Sequence, residues 1–424
     1  MNNNATRRAV ALAAAAVLAT GVAACGGSAD DGKIKITVGT FSDFGYEDLF
    51  AEYEKTHPNI KLEARKLEFD AHHSQLATQL AGGRGAADVV AIEEGWLAQF
   101  RTSKDKFVNL ADLGAKDLKD QWVSWKWSQG ILEDGNFVMG LGTDMGSLAL
   151  CYRKDLFAAA GLPTERGEVA KLWPTWEEFA KVADRFKEKT PNVKFAGSAE
   201  NIFTAKLYQS EEGYFAKSDD GFIADTNPKV KEAFLLAGGM GAKGQTAGIK
   251  PFTPEWTIAL KQGSFATETC AAWALAQIKA GAGEGAADKW DVTSVPGGSG
   301  NWGGSFLTVP KQGKNTKEAY EVAKYLTAPA QQKKIFAKTG NLPSEPAVYK
   351  DPEVLNKVDA YYNDAPVGQI FAAAADSLKP NYRGTRDSKV RPRFNEALAR
   401  IEQGKSTPDT AFGEAVTQSR NEVK

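Results

Sequence analysis

From residue 33 onward the chain alternates between two hydrophobic periods, and that alternation restricts it to one fold class. Residues 33–41 (KIKITVGTF) place β-branched residues at every second position, the period of a strand, and residues 46–55 then carry apolar residues at helical spacing. Thr56-His57-Pro58-Asn59 interrupts that helix, residues 60–69 predict a second strand, and residues 71–81 predict a second helix ending at Gly82-Gly83. Residues 87–92 (ADVVAI) form the short, continuously apolar run of a buried parallel strand. Strand and helix in turn imply an α/β lobe with a mostly parallel sheet. A second α/β lobe follows. Residues 148–152 read as a strand, Pro174-Thr175 prepares a helix over 176–187, residues 306–309 are another strand, and 316–326 form a helix with Ala319, Val322, Ala323 and Leu326 on one face. The helical pattern returns over 391–401 and near Ala411, with a stop at Gly404.

The 424 residues are enough for about two or three domains, each with its own core. Lys and Arg number 52 against 53 Asp and Glu, a formal charge of −1, which excludes a strongly basic nucleic-acid surface. With 3 His and 3 Cys, a closed Cys/His zinc site would consume nearly all of either set.

The first residues stand apart from the fold. Arg7 and Arg8 precede an apolar run over residues 9–24, shorter than the roughly 20 residues of a membrane-spanning helix. The run ends in Val22-Ala23-Ala24-Cys25, followed by the polar stretch Gly26-Gly27-Ser28-Ala29-Asp30-Asp31. This resembles a bacterial lipobox and implies a signal peptide over residues 1–24, a lipidated Cys25 and a tether over 25–32. The expected location is the extracellular face of the cytoplasmic membrane, with lipid as the anchor; an incidental cysteine in a plain secreted protein is the alternative. Arg7-Arg8 matches the twin-arginine pattern only loosely, so both export routes stay open. Once Cys25 is acylated, Cys151 and Cys270 remain as an even pair in an oxidising compartment, where a disulfide and two separate buried thiols both fit.

Few segments carry chemistry of their own. Gly239-Met240-Gly241-Ala242-Lys243-Gly244 and Gly298-Ser299-Gly300-Asn301-Trp302-Gly303 have G-x-G-x-x-G spacing, but the first follows what reads as a helix end near Ala237 and the second leads into a strand. Neither predicts a nucleotide site, and no cofactor is expected. Glu68, Asp70, His72 and His73 lie at a helix start with Asp70 as the N-cap; adjacent histidines point about 100° apart on a helix, so a solvated helix start is expected and a metal site is not. Glu93-Glu94-Gly95-Trp96 follows the buried strand at its carboxyl end, where ligands bind in open α/β sheets. Consecutive strand residues point to opposite faces, so the two carboxylates cannot flank one glycosidic bond, and binding of sugar hydroxyls fits better than glycoside hydrolysis. Trp96, Trp256, Trp273 and Trp302 lie beside turns, strand ends or glycines, whereas Trp122, Trp173, Trp176 and Trp290 read as core. Trp302, within PGGSGNWGGS, has little side-chain cover, and its indole face offers a sugar ring a contact of roughly 0.5 to 1.5 kcal/mol.

Several ordered segments carry a family resemblance: Tyr53-Glu54-Lys55-Thr56-His57-Pro58-Asn59-Ile60, Ala87-Asp88-Val89-Val90, Tyr152-Arg153-Lys154-Asp155-Leu156-Phe157, Pro174-Thr175-Trp176-Glu177-Glu178-Phe179, Gly304-Ser305-Phe306-Leu307-Thr308-Val309-Pro310 and Gly340-Asn341-Leu342-Pro343-Ser344. In this order they resemble the extracytoplasmic sugar-binding lipoproteins of bacterial ABC importers, the group that includes maltose-binding protein. Thr143-Asp144-Met145-Gly146 and Asn301-Trp302-Gly303-Gly304-Ser305 look most like the cello-oligosaccharide-binding members. The resemblance implies a two-lobed, periplasmic-binding-protein-like α/β fold, with lobe 1 over residues 33–143 and 304–342 and lobe 2 over 144–303 and 343–424. Crossovers would fall near Asp144, Gly303 and Leu342. It also implies an oligosaccharide ligand held by Asp43, Phe44, Glu93, Trp96, Asp144, Trp256, Trp273, Trp302, Gly303, Gly304 and Arg383. The aromatic pair that maltose-binding protein carries near this last segment is replaced by Arg391 and Pro392. The family places the segments of Cys151 and Cys270 in one sheet, which favours their disulfide. The implied protein is a monomer that breaks no bond and closes on its sugar. It then meets a membrane permease whose ATPase is a separate chain.

Overall fold

The computed structural model describes residues 32–424; residues 1–31, with the export signal and the Cys25 acylation site read from them, lie outside the described residues. The strands are β1 (Ile34–Phe41), β2 (Ile60–Leu67), β3 (Val89–Glu93), β4 (Ile131–Leu132), β5 (Phe137–Val138), β6 (Gly140–Gly142), β7 (Leu148–Arg153), β8 (Lys194–Ala196), β9 (Phe265–Ala271), β10 (Trp290–Thr293) and β11 (Ser305–Thr308). They build two main sheets, ordered β2-β1-β3-β11-β6 and β10-β7-β9-β8, and β4 pairs with β5 in a short ribbon. Each sheet centres one lobe of a mixed α/β, two-lobed fold.

Alternation decides which residues enter each core. In lobe 1, Ile36 and Val38 of β1 meet Leu307, Tyr320 and Leu326, and the helix Thr316–Leu326 lays down the Ala319, Val322, Ala323 and Leu326 face read from its spacing. In lobe 2, Leu148, Leu150 and Tyr152 of β7 face a core with Trp176, Phe179 and Phe394, while Ala149 and Cys151 face another with Ile278, Tyr362 and Phe371. Period-two alternation therefore gives lobe 2 apolar layers on both sides of its sheet. Cys151 in β7 and Cys270 in β9 are joined by a disulfide with their Cα atoms 6.0 Å apart. Thr175 caps the helix Trp176–Lys189 by accepting the Glu178 N–H at 3.2 Å. Among the described residues no helix is long and apolar enough to cross a membrane.

Three local readings need correction. The sheets are mixed rather than mostly parallel: β1 pairs with β2 and β3 in parallel, but β11 is antiparallel to both β3 and β6, and in lobe 2 only the β8–β9 pair is parallel. β6 leads directly into β7 of the other lobe, and β10 into β11, so these strands arrive without the helical return that makes neighbours parallel. Glu68, not Asp70, occupies the N-cap of the helix Phe69–Gly82, and Asp70 sits in its first turn. The helix Pro228–Ala242 runs through Gly238, Gly239 and Gly241 instead of stopping near Ala237, and it packs there against Ile401 and Glu402 of the helix Asp387–Glu402.

Candidate functional site

The chain crosses between the sheets at residues 143–147 and 294–304, and a third segment near 341–345 runs beside them, bridged at Asp144 and Pro343. At Gly146 and Gly304 the crossing segments approach so closely that no side chain fits. A Cβ on Gly304, whose φ is +119°, would lie 2.4 Å from the Asp144 carbonyl oxygen. Gly146 and Trp302 exchange backbone contacts across the crossovers, with the Trp302 N–H donating to the Gly146 carbonyl at 2.7 Å. The Asp144 carboxylate is part of this clasp: its Oδ1 accepts the Ser305 N–H at 3.0 Å and the Thr143 hydroxyl at 2.7 Å.

Beside the hinge lies an aromatic cluster. Trp273 and Trp302 meet edge to face with centroids 5.5 Å apart, and the Trp273 indole donates to the Trp302 carbonyl at 3.3 Å. Phe252 stands 5.5 Å from Trp273 and 5.9 Å from Trp302, and it is 45% exposed, an unusual amount for a phenylalanine. Its φ of +66° puts a non-glycine residue in the left-handed region, a strain that persists only where the surroundings enforce it. The two tryptophans are partly buried against lobe 2, so the cluster is firmly seated while part of its surface stays open.

Across from it, in lobe 1, Glu93 ends β3 and caps the helix Glu94–Phe100. Its Oε2 accepts the Gly95 N–H at 2.9 Å, and its Oε1 lies 3.6 Å from where a Cβ on Gly303 would be. Burial drives the His73 pKa down to about 3, so the ring is neutral at physiological pH. Its Nδ1 lies 2.8 Å from the Phe69 carbonyl and its Nε2 accepts the Glu93 N–H at 3.1 Å, which assigns the proton to Nδ1. His72 is also buried, with Nε2 2.8 Å from the Ala91 carbonyl. The solvated helix start expected for this pair is therefore corrected: both rings pack under β3 and brace its carboxyl end. Among the described residues there is no group of acidic, His or Cys side chains placed to hold a metal.

Glu94, one residue on, is buried at 4% exposure and turns toward lobe 2. Its Oε2 accepts from Asn301 Nδ2 at 2.7 Å and its Oε1 lies 3.5 Å from Arg383 Nη2. Arg383 is itself buried, lies 3.3 Å over the Tyr208 ring and is 3.8 Å from Asp387. Beyond this contact opens a cavity of about 1140 Å³, lined from lobe 1 by residues such as Arg101, Trp125 and Gln129 and from lobe 2 by Trp176, Gln209 and Asn381. Of the residues expected to bind ligand, only Arg383 lines it. The aromatic cluster and Glu93 occupy another part of the seam.

The structure thus groups Trp273, Trp302, Gly303 and Glu93, with Gly304 and Asp144 in the hinge behind them. Asp43 is exposed in the loop after β1 and accepts the Gly45 N–H at 2.9 Å. Three other expected contacts sit deeper in the molecule. Phe44 is buried in the lobe 1 core, edge-on to Phe41 at 5.2 Å. Trp256 is only 3% exposed, sits in the lobe 2 core, and reaches the seam only through Phe252, 5.1 Å away. Trp96 is half-buried, and one ring face is already covered by His73 at 5.1 Å. Sequence reasoning did not single out Phe252 or the inter-lobe contacts of Glu94. Arg391 lies in the field of Tyr208 and Glu93. The two prolines around Phe252, Pro251 and Pro254, were the available signal that its loop is stiff.

Two α/β lobes joined by crossovers, with polar and aromatic groups facing across the seam, are the architecture of periplasmic-binding-protein-like folds. The model of the bacterial extracellular solute-binding protein family matches residues 43–333. A crystal structure of an extracellular solute-binding protein of family 1 is 40% identical, with a TM-score of 0.84 over 92% of this chain and 100% of that one. A probable ABC transporter-binding protein of Deinococcus radiodurans is 26% identical over 388 residues, 85% of each chain. An ABC transporter associated binding protein from B. animalis subsp. lactis Bl-04, solved with β-1,6-galactobiose, shares the fold at 21% identity and a TM-score of 0.78, over 92% of this chain and 96% of its own. The chain belongs to the bacterial extracellular solute-binding protein family.

Proposed function

We propose that the protein captures an oligosaccharide outside the cytoplasmic membrane and presents it to the permease of an ABC importer. The cargo read from Asn301-Trp302-Gly303-Gly304-Ser305 is a cello-oligosaccharide such as cellobiose or cellotriose. The observation that carries the reading is the half-open cluster of Trp273, Trp302 and Phe252 facing the seam near Glu93. Aromatic faces stack on the C–H faces of sugar rings, and carboxylates accept from their hydroxyls. The sugar contacts both lobes only when the seam is shut, so it shifts the open and closed populations by its differential affinity. In this reading Asp43, Glu93, Trp273, Trp302, Gly303 and Gly304 contact the sugar, and Asp144 sets the hinge. The protein acts as a monomer, tethered by lipid on Cys25, and the ATPase is a separate chain.

A thermal-shift screen over gluco-, xylo-, malto- and manno-oligosaccharides tests this, because a ligand in excess of its Kd raises apparent stability. The largest upward shift is expected with the β-1,4-gluco series. No shift with any oligosaccharide would overturn the sugar reading. Mass spectrometry of the same mixtures would overturn the non-enzymatic reading if shorter sugars appeared.

A further inference from the structure

We propose that Glu94 is a positioning residue for lobe closure: its carboxylate, carried by lobe 1 and seated against Arg383 of lobe 2 and Asn301 of the crossover, sets the balance between open and closed forms. The inference rests on geometry that needs no sugar. Glu94 opens the helix Glu94–Phe100 directly after β3, while Arg383 precedes the helix Asp387–Glu402, whose Val390 and Phe394 lie in the lobe 2 core. The carboxylate is therefore buried by the opposite lobe, and separating the lobes returns it to water. A second contact across the same seam, Ser388 Oγ donating to Gln99 Oε1 at 2.5 Å, joins the helices Glu94–Phe100 and Asp387–Glu402. Asn301 extends the arrangement into the hinge, since its Oδ1 accepts the Gly146 N–H at 2.9 Å. Glu94 thus reports directly on the crossover geometry.

The charged and titratable groups around Glu94 are Glu93 on its own segment, Lys126 from the helix Ser124–Gln129, Arg383 and Asp387 from lobe 2, and Asp144 in the hinge; burial lowers the Lys126 pKa against the opposing pull of Glu94, Asp144 and Glu93. Lys126 Nζ is fully buried, 4.1 Å from the centroid of the Phe306 ring, with no hydrogen-bond partner among the described residues. Burial outweighs the attraction of Arg383 and Lys126 and pushes the Glu94 pKa up to about 7. A carboxylate whose pKa is higher in the closed form than in water takes up a proton on closing, so closure is favoured at low pH and weakens as pH rises toward 7 and beyond. With an exposed reference near 4.5, the closed-to-open ratio should fall about tenfold between pH 6 and pH 8.

The test uses unliganded, disulfide-intact protein with spin labels on cysteines introduced at exposed Ser74 of lobe 1 and Glu255 of lobe 2, reading the inter-lobe distance from pH 5.5 to 8. The short-distance population of the parent should shrink as pH rises. Glu94→Gln, close in shape and permanently neutral, should keep the short distance throughout and lose the pH response. Glu94→Lys, which sets a cation against Arg383 and Lys126, should give the long distance at every pH. A pH response that survives in Glu94→Gln, or a parent distance that is independent of pH, would overturn the proposal. Because no sugar enters the measurement, its outcome is independent of the ligand reading.

Discussion

Glu93 and Glu94 are neighbours in the chain and belong to two differently built sides of one seam. On the Glu93 side, the carboxylate caps its own helix and lies in the field of Arg391, while Trp273, Trp302 and Phe252 keep part of their surface free. On the Glu94 side, both carboxylate oxygens meet groups from beyond lobe 1, and Arg383 is covered by Tyr208 and Asp387. Polar groups that are satisfied within the chain hold its parts together, whereas groups left partly open keep surface for another molecule. The strand-to-helix junction separates the two sides, because Glu93 ends β3 and Glu94 opens the helix that follows, so the two side chains leave the chain in different directions.

The largest effect that tests this contrast comes from Arg383. Arg383→Ala leaves Glu94 buried without its ion-pair partner, which should destabilise the protein by about 3 to 5 kcal/mol. Denaturant unfolding at pH 7 measures it. A drop in sugar affinity without that loss would move Arg383 into the ligand surface and break the comparison.

Acid should act on the two sides with opposite signs. His73, which braces Glu93, has a pKa depressed from 6.5 to about 3 by burial, so the unfolded chain takes up the proton first. The stability that neutral His73 contributes is complete above about pH 6.5 and is lost as pH falls toward 3, a loss of roughly 2 to 4 kcal/mol. Glu94, with its raised pKa, moves the other way. Unfolding free energies of the parent and His73→Gln at pH 7 and pH 4.5 check the first sign: the acid loss should be smaller in the variant. Equal losses would remove His73 as a support of that side.

Trp273→Ala and Trp302→Ala come next. Each should weaken binding of the sugar found by thermal shift by about 1 to 3 kcal/mol, roughly five- to 150-fold, in titration calorimetry. Their partial burial predicts a smaller fall in melting temperature alongside. A large fall with unchanged affinity would turn both into core residues.

Much of the lobe architecture was legible, and less of the seam. The strands around Ile36 and Leu148 and the helix at Thr175 follow from local periodicity and capping, which a single segment carries. The antiparallel β11 and the burial of Phe44 and Trp256 depend on partners hundreds of residues away or across a lobe, and local patterns are silent about these. Trp302 was legible because its glycines announce an uncovered ring. Phe252 was not, because a positive φ at phenylalanine is imposed by tertiary packing and runs against the preference of the residue itself.

The smallest effect separates strain from packing at that residue. Glycine at position 252 would adopt φ +66° freely, saving the roughly 1 to 2 kcal/mol that a side chain costs in the left-handed region, while the unfolded chain gains freedom worth about 0.5 to 1 kcal/mol and the ring contacts are lost. For a ring that is 45% exposed these terms nearly cancel, so Phe252→Gly should leave stability within about 0.5 kcal/mol of the parent. Sugar binding has no such compensation, and loss of one aromatic face should weaken it by about 0.5 to 1.5 kcal/mol. Calorimetry for affinity and denaturant unfolding for stability, run on the same preparation, read both. Reduced stability with full affinity would mean that the strained backbone serves the packing of Trp256 and Trp273, and the open side of the seam would then contain two aromatic platforms instead of three.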